Sequence, residues 1–214
     1  MFFFPYPCFA ASYMIPKQMN SYVRILHASP NAPAVDIYAN GNLIVSNLAY
    51  SNFTQYLPVP TGNYNVKVYP TGNTTDALID TNIYVPEDTV TNVAITGELP
   101  EVSLFQVSES IIPANYGEPC IRFIHLSPDT QSVDIKFEDD SIVFEDVAYK
   151  EVTNYVCALT GTYNFKVTPT GSNDVILTVP DVKLDPNYTY TIYAVGLTEG
   201  TPELKTLLAQ EKRN

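Results

Sequence analysis

The sequence predicts an all-β protein: two tandem Ig-like antiparallel β-sandwich domains with an extended N-terminal arm. Three observations carry that prediction. The composition has Tyr 16, Phe 10 and Pro 17 against Gly 9 and no Trp, a balance suited to many short strands joined by turns. The chain also repeats itself. "VRILHASPNAPAVDIY" from Val23 matches "IRFIHLSPDTQSVDIK" from Ile121, and "AYSNFTQYLPVPTGNYNVKVYPTG" from Ala49 matches "AYKEVTNYVCALTGTYNFKVTPTG" from Ala148, so one unit is present twice. Finally, apolar residues alternate within short runs. In "YNVKVY", Tyr64, Val66 and Val68 share one face and Asn65, Lys67 and Tyr69 the other, the period of a half-buried strand.

In the first copy, strands are expected near 22–28, 34–39, 42–46, 52–58, 63–69, 78–85 and 89–96, with an eighth in "EVSLFQVS" from Glu101. Ser-Pro, Asn-Gly, Pro-Thr-Gly and Pro-Glu-Asp punctuate them. The clearest hairpin is "YANGNL", because Asn-Gly supplies the positive φ angles of a type I′ turn. The second copy replaces it with the longer "KFEDDSI". Four segments follow: an apolar arm at 1–20, a sandwich at 21–108, a linker at 109–119 and a second sandwich at 120–214.

Charge narrows the function. There are 11 Lys and Arg against 23 Asp and Glu, a net charge of -12, spread over both halves. Such a surface repels phosphate backbones, so nucleic acid is not an expected partner. No run reaches the ~20 apolar residues of a membrane span. "MFFFPYPCFAASYMIP" is apolar, but its first basic residue is Lys17 and Pro5 and Pro7 break any helix, so it is not expected to act as a Sec-type leader.

The motifs His27-x-Ser29-Pro30 with Val35-Asp36, and His125-x-Ser127-Pro128 with Val133-Asp134, are each followed by a Gly-x-Tyr strand and a Pro-Thr-Gly turn. In these motifs the chain resembles the DUF4397 family of bacterial β-sandwich domains, over residues 22 to about 200. The resemblance implies the fold and a place in the bacterial envelope or exterior, and it implies no activity, because the family is of uncharacterised function.

His27 with Asp36, and His125 with Asp134, have the residue types of an acid-base couple, with Ser29 or Ser127 as the nucleophile that would complete it. A structural role is expected instead, the His bonding turn backbone and the Asp capping a loop. No catalytic residue is assigned and no enzyme is expected. With His 2 in the whole chain, in separate units, no zinc site is expected, and no metal or cofactor is assigned. Glu138–Asp140 and Asp185–Asn187 offer oxygens for calcium but match no EF-hand loop. Cys8, Cys120 and Cys157 are an odd set. Cys120 and Cys157 can meet inside the second sandwich, leaving Cys8 for an intermolecular bond, and three free thiols are the alternative.

The functional expectation is a structural, self-assembling filament subunit of a bacterial cell or spore surface or of the extracellular space. Copies of itself are the partners, joined head-to-tail by donor-strand docking of the arm through Phe2, Phe3, Phe4, Tyr6, Phe9, Tyr13 and Ile15, with Cys8 as a lock. The alternative is a monomeric surface adhesion or glycan-binding module, whose partners are other surface proteins or glycans.

Overall fold

The computed structural model describes residues 20–110 and 117–212, and there the chain forms four four-stranded sheets. In the first repeat, β1 (Asn20–His27), β4 (Leu57–Pro60), β7 (Thr89–Thr96) and β8 (Ser103–Ser110) form a sheet in the order β4-β1-β7-β8. Facing it are β2 (Val35–Ala39), β3 (Asn42–Leu48), β5 (Gly62–Pro70) and β6 (Ile79–Val85), in the order β3-β2-β5-β6.

The second repeat builds the same pair. Its β9 (Cys120–His125), β12 (Val156–Cys157), β15 (Tyr188–Val195) and β16 (Lys205–Lys212) are ordered β12-β9-β15-β16. Its β10 (Val133–Phe137), β11 (Ile142–Val147), β13 (Gly161–Pro169) and β14 (Leu177–Leu184) are ordered β11-β10-β13-β14.

Asn40 and Gly41 hold φ of 48° and 80°, the two positive angles the β2–β3 turn requires. Val66 and Val68 point into the core, as the alternation in β5 dictates. Two features differ from expectation. The pairings of β1 with β7 and of β9 with β15 are parallel, because β7 and β15 are reached by a crossover from the opposite sheet, and only a hairpin forces antiparallel pairing. The strand expected at 52–58 shrinks to a bridge between Leu26 and Phe53 followed by β4. There Thr54 bonds Ile25 twice, its hydroxyl accepting the Ile25 amide at 2.9 Å and its own amide donating to the Ile25 carbonyl at 2.8 Å. This leaves Thr54 clamped on β1 by one residue rather than laddered, and Pro58 and Pro60 remove two donors downstream.

Each sandwich has its own core, around Ile37, Val68 and Ile95 in the first and Phe123, Ile135 and Phe165 in the second. A third cluster joins the two, where Leu26 and Ala94 of one domain meet Ile124, Leu126, Tyr193 and Ala209 of the other. The outer face of the β1 sheet is thus buried against the outer face of the β9 sheet. This is why β9 is buried at every position where a one-faced strand would alternate.

The join has an approximate two-fold relation that follows the repeat. Arg24 donates to Asn92 Oδ1 at 2.9 Å and pairs with Glu211 of the other domain at 2.8 Å. Arg122, its repeat equivalent, donates to Thr191 Oγ1 at 3.1 Å and pairs with Glu109. Each guanidinium also lies over aromatic rings, Arg24 over Phe53 and Tyr56 and Arg122 over Tyr155. Tyr56 donates to Glu211 at 2.5 Å and Tyr155 to Glu109 at 3.3 Å. Burial, reinforced by the Glu211 charge, raises the Tyr56 hydroxyl well above its ordinary range, so it stays a donor. Around this centre Lys205 donates to Ser51 at 3.0 Å and Lys150 to Ser103 at 2.8 Å.

A guanidinium this far from water loses much when its counter-charge is removed. Glu211 keeps 23% exposure, so Glu211→Ala is expected to cost about 2–3 kcal/mol, below the ~3–5 kcal/mol of fully buried pairs. Urea denaturation measures this, and adding Arg24→Met is expected to recover most of the loss. A cost under about 0.5 kcal/mol would place Arg24 among ordinary surface charges.

Candidate functional site

The His-x-Ser-Pro and Val-Asp motifs hold loops. His27 and His125 are fully buried. His27 Nε2 meets the Pro33 carbonyl at 2.9 Å; a carbonyl only accepts, so this nitrogen carries the proton. His125 Nε2 meets the Gln131 carbonyl at 3.3 Å, and its Nδ1 accepts from the Ser127 amide at 3.3 Å. Ser29 donates to the Gly97 carbonyl at 2.6 Å and Ser127 to the Gly196 carbonyl at 2.7 Å. Those glycines sit at φ of 98° and 99°, where any Cβ would collide with the backbone of Glu101 or Glu203.

The aspartates turn away from the histidines. Asp36 accepts the Asn47 amide at 2.8 Å and the Gly72 amide at 3.0 Å, clamping the kink of β3 to the Pro-Thr-Gly turn. Asp134 repeats this with Asp146 at 2.9 Å and Gly171 at 3.1 Å. Asn47 and Asp146 have φ of 53° and 51°, unfavourable angles that the clamp secures. The three polar residues of each motif, His, Ser and Asp, therefore have backbone partners, and Pro30 and Pro128 lie in the same turns.

The acidic loops weighed for calcium are likewise occupied by protein donors. Lys166 pairs with Asp140 at 2.7 Å, Asn164 donates to Glu138 at 2.9 Å, and Lys183 pairs with Asp185 at 3.0 Å. Cys120 and Cys157 form a disulfide between β9 and β12. Cys8 and the arm residues Phe2, Phe3, Phe4, Tyr6, Phe9, Tyr13 and Ile15 lie outside the described residues.

The feature that the sequence reading missed is a recess of about 410 Å³ in the first domain, between β3 and β4, which are sheet edges among the described residues. Leu57, Val59, Val66, Ile83, Val93 and Leu104 are among its walls, with Asn40, Asn42 and Tyr64 also lining it. The second domain shows why it is there. At the positions of Ile25, Ala39 and Val66 the second repeat carries Phe123, Phe137 and Phe165. Phe137 stacks on Phe165 at 5.4 Å and lies 5.9 Å from Tyr163, so rings occupy the frame that the first domain leaves open. The signal was present in the sequence as three large-to-small differences in an otherwise matched repeat.

Among the described residues, the strand beside the recess is unpartnered on one side. β3 is the edge of its sheet, has no charged residue, and exposes Leu43 at 51% and Ile44 at 41%. Edge strands are ordinarily protected by charge or proline; β11, the equivalent edge, carries Glu145 and Asp146. An uncharged edge next to an apolar recess is the chemistry that accepts an extended apolar segment.

Fold and site together define a two-domain β-sandwich protein whose His, Ser and Asp motif side chains bond loop backbone and whose first domain has an apolar recess. The chain belongs to the DUF4397 family, a domain of unknown function, whose model matches residues 21–136 and 121–214. No curated protein matches it. Among solved structures it is similar to an alpha-glucan-binding streptococcal virulence factor (12% identity, 83% of this chain and 92% of that one, TM-score 0.27). It is also similar to a family CBM26 module from Eubacterium rectale in complex with maltoheptaose (10% identity, 91% and 97%, TM-score 0.26). A third is a Bacteroides ovatus protein described as a cell adhesion protein (11% identity, 92% and 97%, TM-score 0.27). Likeness at this level carries no ligand across.

Burial lowers the basicity of both histidines, against a smaller raising effect of their carbonyl partners. The amides of Gly72 and Asn47 hold the Asp36 carboxyl below its usual range. A histidine kept neutral in the fold binds fewer protons than in the unfolded chain, so its contribution is complete above the unfolded value near 6.5 and is lost as pH falls below it. The aspartate acts in the same direction at lower pH. Stability is expected to be flat above about pH 7 and to fall toward pH 5 by up to about 1.4 kcal/mol per pH unit for each histidine. Denaturation midpoints across that range test this, and His27→Gln with His125→Gln is expected to flatten the slope.

Proposed function

We propose that this chain is a non-catalytic, adhesion-type binding protein of the bacterial exterior, whose recognition site is the first-domain recess. The observation that carries the reading is the recess beside the uncharged edge of β3. Its volume of about 410 Å³ falls within the ~300–1,000 Å³ of ligand sites, and its apolar walls suit an aliphatic or aromatic partner. Arg24 and Arg122, each paired across the domains, support a role in which both domains move as one body. The Cys120–Cys157 disulfide suits an oxidising compartment. A non-enzymatic role is supported by the commitment of His27, Ser29 and Asp36, and of their second-repeat equivalents, to loop backbone.

Glycan recognition calls for exposed aromatic faces flanked by polar groups. Asn40, Asn42 and Tyr64 are the polar groups lining the recess, so an apolar polypeptide segment fits it better than a sugar.

The recess can be closed with the second domain's own side chains. In Ala39→Phe/Val66→Phe, fluorescence of the apolar dye anilinonaphthalene sulfonate on the native protein is expected to drop about tenfold or more, while the melting temperature holds or rises as the void fills. Dye binding that survives filling would remove the recess as the site. A glycan-array signal that survives it would move recognition elsewhere.

A further inference from the structure

We infer that the occupant of the recess is the apolar N-terminal segment of a second copy of this chain, exchanged reciprocally between two copies. The inference rests on the reading of the recess as a binding site for extended apolar polypeptide.

The first support is chemical fit. The recess lacks three rings that the second domain has, and the segment before β1 is "MFFFPYPCFAASYMIPKQM". Laid out as a strand, Phe2, Phe4 and Tyr6 share one face, so one short stretch returns three rings to the frame that Phe123, Phe137 and Phe165 fill in the other domain. Burying them removes the cost of leaving that stretch in water.

The second support is the position of the prolines. Backbone N–H groups also alternate along a strand, so Pro5 and Pro7 leave their missing donors on the same side. Phe4, Tyr6 and Cys8 direct their amides to the other side, toward an edge strand such as β3. The added strand then turns its proline side to solvent, which stops a further strand from pairing on it.

The third support is where the segment begins. Asn20 pairs with Pro60, the end of β4, and Pro60, Asn40 and Tyr64 all line the recess. Root and recess share one end of the domain. Two copies meeting at that end can each place a segment on the other, an isologous exchange that closes on itself. The rings at 2–6 are separated from the root by a stretch containing Pro16, Lys17 and Gln18. An extended stretch of this length reaches roughly 3.3 Å per residue, enough to cross to a second molecule.

Light scattering on the intact chain, with electron microscopy alongside, tests the inference under reducing conditions. The intact protein is expected to be a dimer and the variant lacking residues 1–19 a monomer. A synthetic peptide of residues 1–16 is expected to bind that monomer, and to bind it about tenfold or more weakly once Ala39→Phe/Val66→Phe closes the recess. Two intact-length variants complete the test: the filled-recess variant and Phe2→Ser/Phe4→Ser/Tyr6→Ser are each expected to be monomeric alone and to pair when mixed. Filaments of the intact chain would overturn reciprocal exchange in favour of head-to-tail docking. An intact monomer whose recess takes the peptide only after deletion of 1–19 would overturn the second copy in favour of the chain's own segment. Failure of the peptide with dye binding intact would remove the N-terminal segment and leave the recess reading standing; loss of both would remove that reading too.

Discussion

The architecture turns on two arginines placed where a β-sandwich ordinarily shows water. Arg24 and Arg122 stand on the outer faces of β1 and β9, with side-chain exposures of 10% and 4%. A guanidinium there is tolerable only if its charge is met and its donors are used. Glu211 and Glu109 meet the charge from across the join, and Asn92 and Thr191 take the inner nitrogen. The apolar cluster of Leu26, Ile124, Leu126 and Tyr193 packs in the same join. Shared burial supplies the driving force, and the ion pairs fix the alignment.

The two sandwiches spend their interiors differently. The second packs rings against rings and has a disulfide at the strand equivalent to β4. The first has Pro58 where the second has Cys157, aliphatic or small residues where the second has phenylalanine, and an open edge. A void lined by aliphatic groups forfeits contacts, so the first domain keeps less of its own packing. Its Asp36 clamp and Ser29 bond are still as complete as those of the second domain. The loops are thus fixed to the same standard in both while the cores differ, which is the pattern of a scaffold held constant around a variable interior.

Much of this was legible in the sequence. The repeat, the Asn40-Gly41 turn and the inward valines of β5 follow from local chemistry, because each depends on neighbours a few residues away or on one turn. What was not legible depends on distant partners. Parallel pairing of β1 with β7 is decided by a crossover between sheets. The shortened β4 reflects the two hydrogen bonds between Thr54 and Ile25. Arg24 and Arg122 recur at one position of an apolar strand, a visible anomaly, but their partners lie far along the chain and only the docked domains bring them together. The recess is a difference between copies, set by Ile25, Ala39 and Val66 where the second repeat has Phe123, Phe137 and Phe165, and a void appears only when residues from separate strands fail to meet.

The lysine–serine contacts at the margin of the join have a consequence for partner choice. Both lysines, Lys150 and Lys205, belong to the second domain, and both serines, Ser51 and Ser103, to the first. If two second domains met through this face, ammonium would oppose ammonium at each margin; if two first domains met, hydroxyl would face hydroxyl with no charge to gain. Only the mixed pairing gives each ammonium an acceptor. Duplicated units that could otherwise pair with their own kind are thereby made heterospecific, and the chain that tethers them supplies the matching partner at high effective concentration.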